Sequence, residues 1–400
     1  MMPAAAATAR VRIAIVSPNF PNSADPHLAI YNYHAARALQ RWADVAVYCL
    51  IPSYPRYLFH PRSRSFRQVD SNFRLPGVDV HYVPYPAVPV LTRAFNGRTA
   101  ARYLRPQLAG TPPNLILSQG IYPGGEGAVR VGAALGVPVI VQGLGSDLRM
   151  IADPFMERGT RNVLQRAALV LTVSDELRQR AVALGASPDK VQAILNGCDP
   201  ELFRVADRGA ARSKLGVPAA ARLVLYVGRF DPVKNVDVLL EAAARLVPSQ
   251  AQLQVACIGT GALETKLRAL AQRLGLSPCV RWLGPRDPKD VACWLAAADL
   301  LCLPSRSEGC PNVVVEALAC GRPVVASPVG GIPELVDDSC AVLTPPGDPA
   351  ALAKALAIAL DRDWDERRIA AHAGRSWDDV ARETFEVCQR LLTRTGCGAA

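Results

Sequence analysis

The stretch from Asp299 to Ser327 reads DLLCLPSRSEGCPNVVVEALACGRPVVAS. An apolar strand (DLLCLPS) precedes a loop, a helix predicted over 312–319 and a second apolar strand (PVVAS). Pro311 is predicted as the first helical residue, and Gly321 followed by Arg322-Pro323 is a typical helix stop. Two continuous apolar strands joined by a helix predict neighbouring strands of a parallel sheet that helices cover on both faces.

The same alternation of strand and helix runs through both halves of the chain. Predicted strands of the first half are VRIAIVSPNF, ADVAVYCL, NLILSQG, VPVIVQG and ALVLTVS, and those of the second half include ARLVLYVGRF, LQVACIGTG, CVRWLG and AVLTPP. The expected fold is α/β, with two doubly wound parallel-sheet, Rossmann-like domains facing a central cleft. We place the domains at 1–200 and 201–372, and expect a helix in 373–400 to pack back toward the first domain. The region 51–89, rich in Pro, Arg and aromatic residues, is predicted to be a long excursion from this pattern.

Composition indicates an ordinary globular protein. Half of the 400 residues are hydrophobic and a fifth are charged, and no apolar run approaches the roughly 20 residues of a membrane span. The opening MMPAAAATAR lacks the features of a signal peptide, so a cytoplasmic location is expected. The eleven cysteines include no CxxC pair and lie mostly in apolar patterns, which predicts buried thiols rather than disulfides or a zinc site.

Positive charge is concentrated in the first half of the chain. The net charge is +10, and nine arginines between Arg56 and Arg105 face only Asp70 and Asp79. Either this region is a solvated basic surface, or it meets an anionic partner such as a lipid surface, a lipid diphosphate or an acidic polymer. No nucleic-acid-binding motif accompanies the arginines, so nucleic acid is not expected as a partner.

Two cations follow the first strand of the second half, in LYVGRFDPVKN. Gly228 ends the strand, which places Arg229 and Lys234 in the loop beyond its carboxyl end, where open α/β sheets bind ligands. The pair would suit a diphosphate, although two surface cations would fit the same pattern. Because cations are unfavourable at the start of a helix, we favour a bound anion.

The loop SRSEGC occupies the equivalent position after the fourth strand. The amides of Asn312 and Val313 are predicted to lack intrahelical partners and to point into the same crevice. Glu308 lies in the loop, where it would reach beyond the phosphates, and Glu316 lies one turn inside the helix, where it could accept hydrogen bonds from a ribose. We expect the nearby cations to favour both glutamates as carboxylates.

These segments together resemble a known enzyme family. GRFDPVKNVDVLLEA with SEGCPNVVVEALACGRPVVASPVGGIPELV resembles the GT-B fold retaining glycosyltransferases of family 4 (glycosyl transferases group 1). The likeness is strong over about 170–345, including VSDELR and ILNGCDPELF, and looser before that. Its E-x7-E pattern falls on Glu308 and Glu316. The resemblance implies metal-independent, cofactor-free transfer of a sugar from a UDP- or GDP-sugar to a glycan or lipid-linked glycan, in cell-surface or exopolysaccharide synthesis.

The resemblance also implies roles for individual residues. Arg229 and Lys234 would hold the diphosphate, Glu308 would contact the donor sugar, and Glu316 would bind ribose. The remaining implied donor-binding residues are Gly228, Gly309, Cys310, Pro311, Asn312 and Val313, with Pro285 and Arg286 near the base.

The acceptor side departs from the family pattern. The loop PNFPNSADPHLAIYNYH lacks paired glycines, and GLGSDL has Leu144 where many relatives have histidine. His27, His34 and Asp147 are the acceptor-side candidates, although a structural role fits each of them.

Two other functions remain open: a nucleotide-sugar epimerase of the same architecture and a non-catalytic nucleotide-sugar-binding protein. A nicotinamide dehydrogenase is disfavoured, because no GxGxxG follows either first strand. The basic region predicts in addition that the first domain docks peripherally on the cytoplasmic face of an anionic membrane.

Overall fold

The computed structural model describes residues 10–55, 66, 68–88, 92, 95–151, 153–372 and 374–396. The chain divides into two compact units, one formed by Met1–Leu195 with Trp377–Ala400 and the other by Asn196–Ser376. Each unit is an α/β domain around one parallel sheet, which confirms the predicted fold class.

The first unit contains a seven-stranded sheet in the order β3-β2-β1-β4-β5-β6-β7, with every pair parallel. Its strands are β1 (Arg12–Ser17), β2 (Asp44–Ser53), β3 (Asp79–Pro86), β4 (Leu115–Gln119), β5 (Val139–Gly143), β6 (Leu169–Thr172) and β7 (Val191–Ala193). The central strands are almost fully buried on both faces, as continuous β-branched and leucine-rich runs predict.

Helices connect these strands and cover the sheet. They are Ile30–Leu39, Asn96–Ala109, Gly124–Leu135, Ser146–Arg149, Pro154–Arg166 and Asp175–Ala183. The last helix of the chain, Trp377–Thr395, packs on Ile30–Leu39, and Val380, Phe385 and Cys388 join the core of this unit. The chain therefore returns to its first sheet after completing the second.

The second unit contains a six-stranded parallel sheet in the order β10-β9-β8-β11-β12-β13. Its strands are β8 (Arg222–Val227), β9 (Leu253–Ile258), β10 (Val280–Gly284), β11 (Leu300–Leu303), β12 (Val324–Ala326) and β13 (Ala341–Leu343). Its helices are Arg208–Leu215, Val236–Leu246, Glu264–Arg273, Pro288–Ala297, Asn312–Ala319, Ile332–Leu335, Pro349–Asp361 and Glu366–His372.

Two local predictions were wrong. The predicted excursion over 51–89 contains β3, which pairs with β2 from Ala46 to Ser53. Because β3 is an edge strand, Pro84 and Pro86 fit there without removing a needed donor, but they hide the strand in the sequence. Pro311 is the N-cap of its helix, with extended backbone (φ −73°, ψ 113°), and Asn312 is the first helical residue.

Part of the predicted basic region lies outside the described residues, namely 56–65, 67, 89–91, 93 and 94. The cysteines of the described residues are all free thiols, and all but Cys279 and Cys293 are buried, as expected.

Candidate functional site

The candidate site lies where the order of the second sheet reverses. The strands β8 and β11 are adjacent and parallel, but β9 and β10 lie on one side of them and β12 and β13 on the other. The loops that follow β8 and β11 therefore diverge and leave a crevice at the carboxyl edge of the sheet. The Arg306 amide donates to the Val233 carbonyl at 2.8 Å, and Asn235 Nδ2 donates to the Pro304 carbonyl at 3.0 Å. These two bonds fix the loops relative to each other.

Lys234 and Glu308 form an ion pair across the crevice. Lys234 Nζ lies 2.7 Å from Glu308 Oε1, and the two side chains are 22% and 7% exposed. Removing a carboxylate of this burial from water costs several kcal/mol unless a cation offsets the charge. The structure thus brings together two residues that the sequence had assigned to different parts of one ligand.

Arg229 has a partner that the sequence analysis missed. Its guanidinium binds the Asp231 carboxylate, with Nε 2.7 Å from Oδ2, while the side chain stays 72% exposed. The backbone beneath it is held firmly, because the buried Tyr226 hydroxyl donates to the Arg229 carbonyl at 2.8 Å. Most of the guanidinium donors therefore remain open to an anion that arrives from solvent.

Glycines let the loop after β9 pack under the loop after β8. A Cβ at Gly259 would lie 1.9 Å from the Gly228 carbonyl oxygen, and one at Gly261 would lie 2.6 Å from the Phe230 nitrogen. The Gly228 amide itself donates to Ile258 at 3.0 Å. The two glycines of Gly-Thr-Gly at 259–261 are the sequence feature from which this close approach of the two loops could have been predicted.

The helix Asn312–Ala319 opens onto the crevice. By helix geometry the amides of Asn312 and Val313 have no intrahelical acceptor, and none is found for either among the described residues. Asn196 holds the preceding loop, because its Nδ2 donates to the Cys310 carbonyl at 3.1 Å and to Asn312 Oδ1 at 2.8 Å. The Gly309 carbonyl accepts from Gly331 at 2.7 Å. This rigid loop presents free amides in the way that anion-binding helix starts do.

Glu316 differs from Glu308 in having no cation. No donor among the described residues reaches its carboxylate, and burial raises its pKa from 4.5 to about 7. The expectation that the nearby cations favour both glutamates as carboxylates is therefore wrong for Glu316. Its acceptor oxygens are available to hydroxyl groups of a ligand.

Pro285 and Arg286 follow β10 directly and are exposed at the same carboxyl edge of the sheet. The β10 edge is joined to the β9 loop, because the Gly259 amide donates to the Gly284 carbonyl at 2.9 Å. The two residues lie on the side of β8 opposite to the helix Asn312–Ala319.

The acceptor-side candidates lie in the first unit and make local contacts. Asp147 accepts hydrogen bonds from the amides of Ile121, Leu144 and Gly145, at 3.2, 3.0 and 2.9 Å, while burial raises its pKa. Its charge, after burial itself, contributes to raising the pKa of Tyr31 to about 12. Asp147 therefore organises the loop after β5.

The two histidines have different surroundings. His34 stacks on Trp377 with ring centroids 6.2 Å apart, which ties the helix Ile30–Leu39 to the last helix of the chain. His27 is exposed, and its amide donates to Asp25 Oδ1 at 3.1 Å. The acceptor role of His27, His34 and Asp147 stays a prediction.

Comparison with known families agrees with this geometry. A family model described as Glycosyl transferases group 1 matches residues 221–362, and one described as Glycosyl transferase 4-like domain matches residues 28–197. The chain belongs to the group 1 glycosyltransferases. This confirms the resemblance seen in the sequence, over both units.

Similar proteins include two curated relatives. The D-inositol 3-phosphate glycosyltransferase 2 of Catenulispora acidiphila is 37% identical over 250 residues, 58% of this chain and 58% of that protein. The D-inositol 3-phosphate glycosyltransferase of Mycobacterium tuberculosis is 41% identical over 187 residues, 46% of this chain and 39% of that protein. The chain thus spans about half the length of the curated relatives it matches.

Solved structures share the fold over nearly the whole chain. HepE of Anabaena, in complex with UDP, superposes with a TM-score of 0.72 at 20% identity and covers 95% of this chain and 100% of its own. Sucrose-phosphate synthase of Thermosynechococcus elongatus superposes with a TM-score of 0.79 at 22% identity and covers 96% and 100%. Within the described residues, no helix combines the length and apolarity needed to cross a membrane.

The raised pKa of Glu316 can be measured directly. In carboxyl ¹³C NMR titrations of the labelled protein, the resonance that is absent from Glu316→Gln is expected to titrate near pH 7. Glu264, whose pKa is lowered by hydrogen bonds from Arg268 and Thr260, serves as the control and should titrate below pH 4.5. A Glu316 resonance that titrates below pH 5 would contradict the desolvated, unpaired carboxylate.

The same shift has a consequence for stability. The pKa of Glu316 is higher in the folded protein than in the unfolded chain, so ionisation of this side chain opposes folding. The resulting loss in the free energy of unfolding develops as the pH rises from 4.5 to 7. Glu316→Gln should therefore be more stable than the parent at pH 8, by about 1–3 kcal/mol, and equal to it below pH 4.5.

Proposed function

We propose that this chain is a retaining, metal-independent glycosyltransferase that transfers a sugar from a UDP- or GDP-sugar to a glycan or lipid-linked glycan, in cell-surface or exopolysaccharide synthesis. The observation that carries the proposal is the crevice of the second unit. There the paired Lys234 and Glu308 lie on loops that border free helix amides and an unpaired Glu316. Each of these groups matches one part of a nucleotide-sugar.

The diphosphate is the anionic part of such a donor. Lys234 offers a mobile ammonium and Arg229 an exposed planar guanidinium, while the amides of Asn312 and Val313 add donors at the positive end of a helix dipole. Asp231 and Glu308 keep these cations in place before the donor arrives. The site is therefore prepared for negative charge before the reaction begins.

The ribose is the part that Glu316 would recognise. Vicinal hydroxyls are hydrogen-bond donors, and their bonds to a carboxylate lower its pKa. Donor binding would supply the partners that this partly buried carboxylate lacks in the free protein. Glu308, held by Lys234, would face the sugar, and the backbone at Pro285 and Arg286 would meet the base.

The transfer breaks the bond between the anomeric carbon and the phosphate oxygen, and the bonding electrons leave with the diphosphate. The acceptor oxygen bonds to the anomeric carbon on the same face, and its proton passes to the departing phosphate oxygen. Arg229, Lys234 and the helix amides stabilise the charge that develops on this oxygen. These cations provide the electrostatic stabilisation that a metal ion supplies in other enzymes.

Substitutions in the crevice should separate binding from chemistry. Arg229→Ala is expected to lower kcat by roughly 10²-fold or more, because a preorganised charge stabiliser is lost. Lys234→Ala and Glu316→Ala should weaken donor binding, measured by calorimetry beside a transfer assay. Lys266→Ala, which removes an exposed lysine from the helix Glu264–Arg273, is the matched control and should change neither quantity.

The donor is identified first, by a thermal-shift screen across UDP-, GDP- and ADP-sugars, since a ligand that binds the native state raises its unfolding temperature. The acceptors offered in the transfer assay should include inositol 3-phosphate, because the names of the curated relatives contain this compound. If Lys234→Ala and Glu316→Ala both bind the donor and transfer the sugar as the parent does, the assignment of the donor site to this crevice is wrong. Sugar isomers released without acceptor would indicate an epimerase, and binding without hydrolysis or transfer would indicate a non-catalytic binding protein.

We also propose that the first unit docks on anionic lipid. Arg98, Arg102 and Arg105 are exposed on one face of the helix Asn96–Ala109, at helical spacing. Phe95 and Tyr103 on the same segment are 54% and 42% exposed. Exposed cations with aromatic side chains beside them are typical of segments that lie at a membrane surface.

Vesicle co-sedimentation tests this docking. Replacing Arg98, Arg102 and Arg105 with Gln should weaken binding to phosphatidylserine-containing vesicles roughly 10²-fold, at about 1 kcal/mol for each charge. Replacing Lys266, Arg268 and Arg273 on the second unit removes the same charge and should have little effect. Vesicle binding that does not change with the anionic lipid content or the salt concentration would contradict an electrostatic mode of docking.

A further inference from the structure

Three side chains of metal-ligating type converge in the second unit, apart from the crevice. One ligand atom each from Asp337, Cys340 and His372 lies within 4.8 Å of the other two. Asp337 and Cys340 belong to the turn between the helix Ile332–Leu335 and β13, and His372 ends the helix Glu366–His372. The sequence shows no zinc-ligand spacing here because the histidine is distant along the chain from the other two residues.

The distances are close to those of a metal site. His372 Nδ1 lies 3.7 Å from Asp337 Oδ2, and Cys340 Sγ lies 3.7 Å from Asp337 Oδ1. Bonds of about 2.0–2.3 Å to tetrahedral Zn²⁺ place neighbouring ligand atoms about 3.3–3.7 Å apart. Small side-chain movements would therefore bring all three atoms into one coordination sphere.

Two hydrogen bonds orient these ligands. His372 Nε2 lies 3.2 Å from the Leu335 carbonyl, and the tautomer protonated at Nε2 donates this bond and turns the Nδ1 lone pair toward Asp337. Metal-bound histidines commonly donate their second ring N–H to a backbone carbonyl in this way. The Asp337 amide donates to Cys340 Sγ at 3.4 Å, and the Cys340 thiol in turn lies 3.5 Å from the Asp337 carbonyl, so the sulfur is held beside the aspartate.

We propose that Asp337, Cys340 and His372 bind one divalent transition-metal ion, best suited to Zn²⁺, with water completing the coordination. Thiolate, imidazole and carboxylate together form a ligand set typical of zinc, and exposed Asp337 and His372 leave one side open to water. Binding releases the Cys340 proton to solvent.

The ion would have a structural role. It would join the helix Glu366–His372 to the turn before β13, and so brace the helix Ile332–Leu335 between them. The Gly331 amide at the start of this short helix donates to Gly309 in the crevice loop. Metal binding would therefore stabilise the second unit without entering the transfer chemistry.

The test starts from the chain after a chelator has removed any bound metal. Co²⁺ is then added stepwise, and its binding is monitored by visible absorption. We expect one equivalent to bind with a thiolate-to-cobalt band, and Zn²⁺ to displace the Co²⁺ and raise the unfolding temperature. Cys340→Ser should abolish the thiolate band, and His372→Gln, a change at a partly exposed position, should weaken binding at least about 10-fold.

Matched controls come from the first and second units. His81→Gln removes another exposed histidine beside an aspartate, and Cys293→Ser removes a partly exposed thiol, so both should bind Co²⁺ as the parent does. The proposal is overturned if no thiolate band forms, or if His372→Gln and Cys340→Ser bind like the parent. Several weak equivalents that the controls reduce equally would show an adventitious ion only.

Discussion

The ion pair between Lys234 and Glu308 couples the fold of the second unit to its candidate chemistry. Glu308 is 8% exposed, and the ammonium group of Lys234 lies 2.7 Å from its carboxylate. The two residues belong to loops that follow different strands, and only the adjacency of β8 and β11 brings them together. The strand order of the sheet therefore determines both the position of the crevice and the charged groups that line it. A diphosphate that binds Lys234 would enter an electrostatic environment already assembled for it.

The two glutamates of the crevice illustrate how position decides the role of a carboxylate. Glu308 has its cation in the free protein, whereas Glu316 lies on a rigid helix with no donor among the described residues and a pKa of about 7. Leaving a partly buried carboxylate without partners costs free energy, and proteins concentrate such groups at functional sites. Nucleotide-sugar binding would supply hydroxyl donors to Glu316. The free-energy cost of the unpaired Glu316 carboxylate would thus be recovered when the ligand binds.

The sequence predicted what local patterns encode. The helix Asn312–Ala319 was predicted from its apolar residues between Pro311 and Gly321, with an error of one residue at its start, where Pro311 is the N-cap. The strand β3 was missed because its prolines resemble loop signals unless its place at the sheet edge is known. Asn196 was missed for a different reason. Its partners, Cys310 and Asn312, lie more than a hundred residues away, and no local pattern announces a contact over that distance.

A structure of this chain with a bound nucleotide-sugar would test the assignment of the crevice most directly. We expect diphosphate oxygens within hydrogen-bonding distance of Lys234 Nζ and of the Asn312 and Val313 amides, with the ribose hydroxyls on Glu316. A nucleotide-sugar bound away from the carboxyl edge of β8 and β11, or one whose ribose does not contact Glu316, would contradict this assignment.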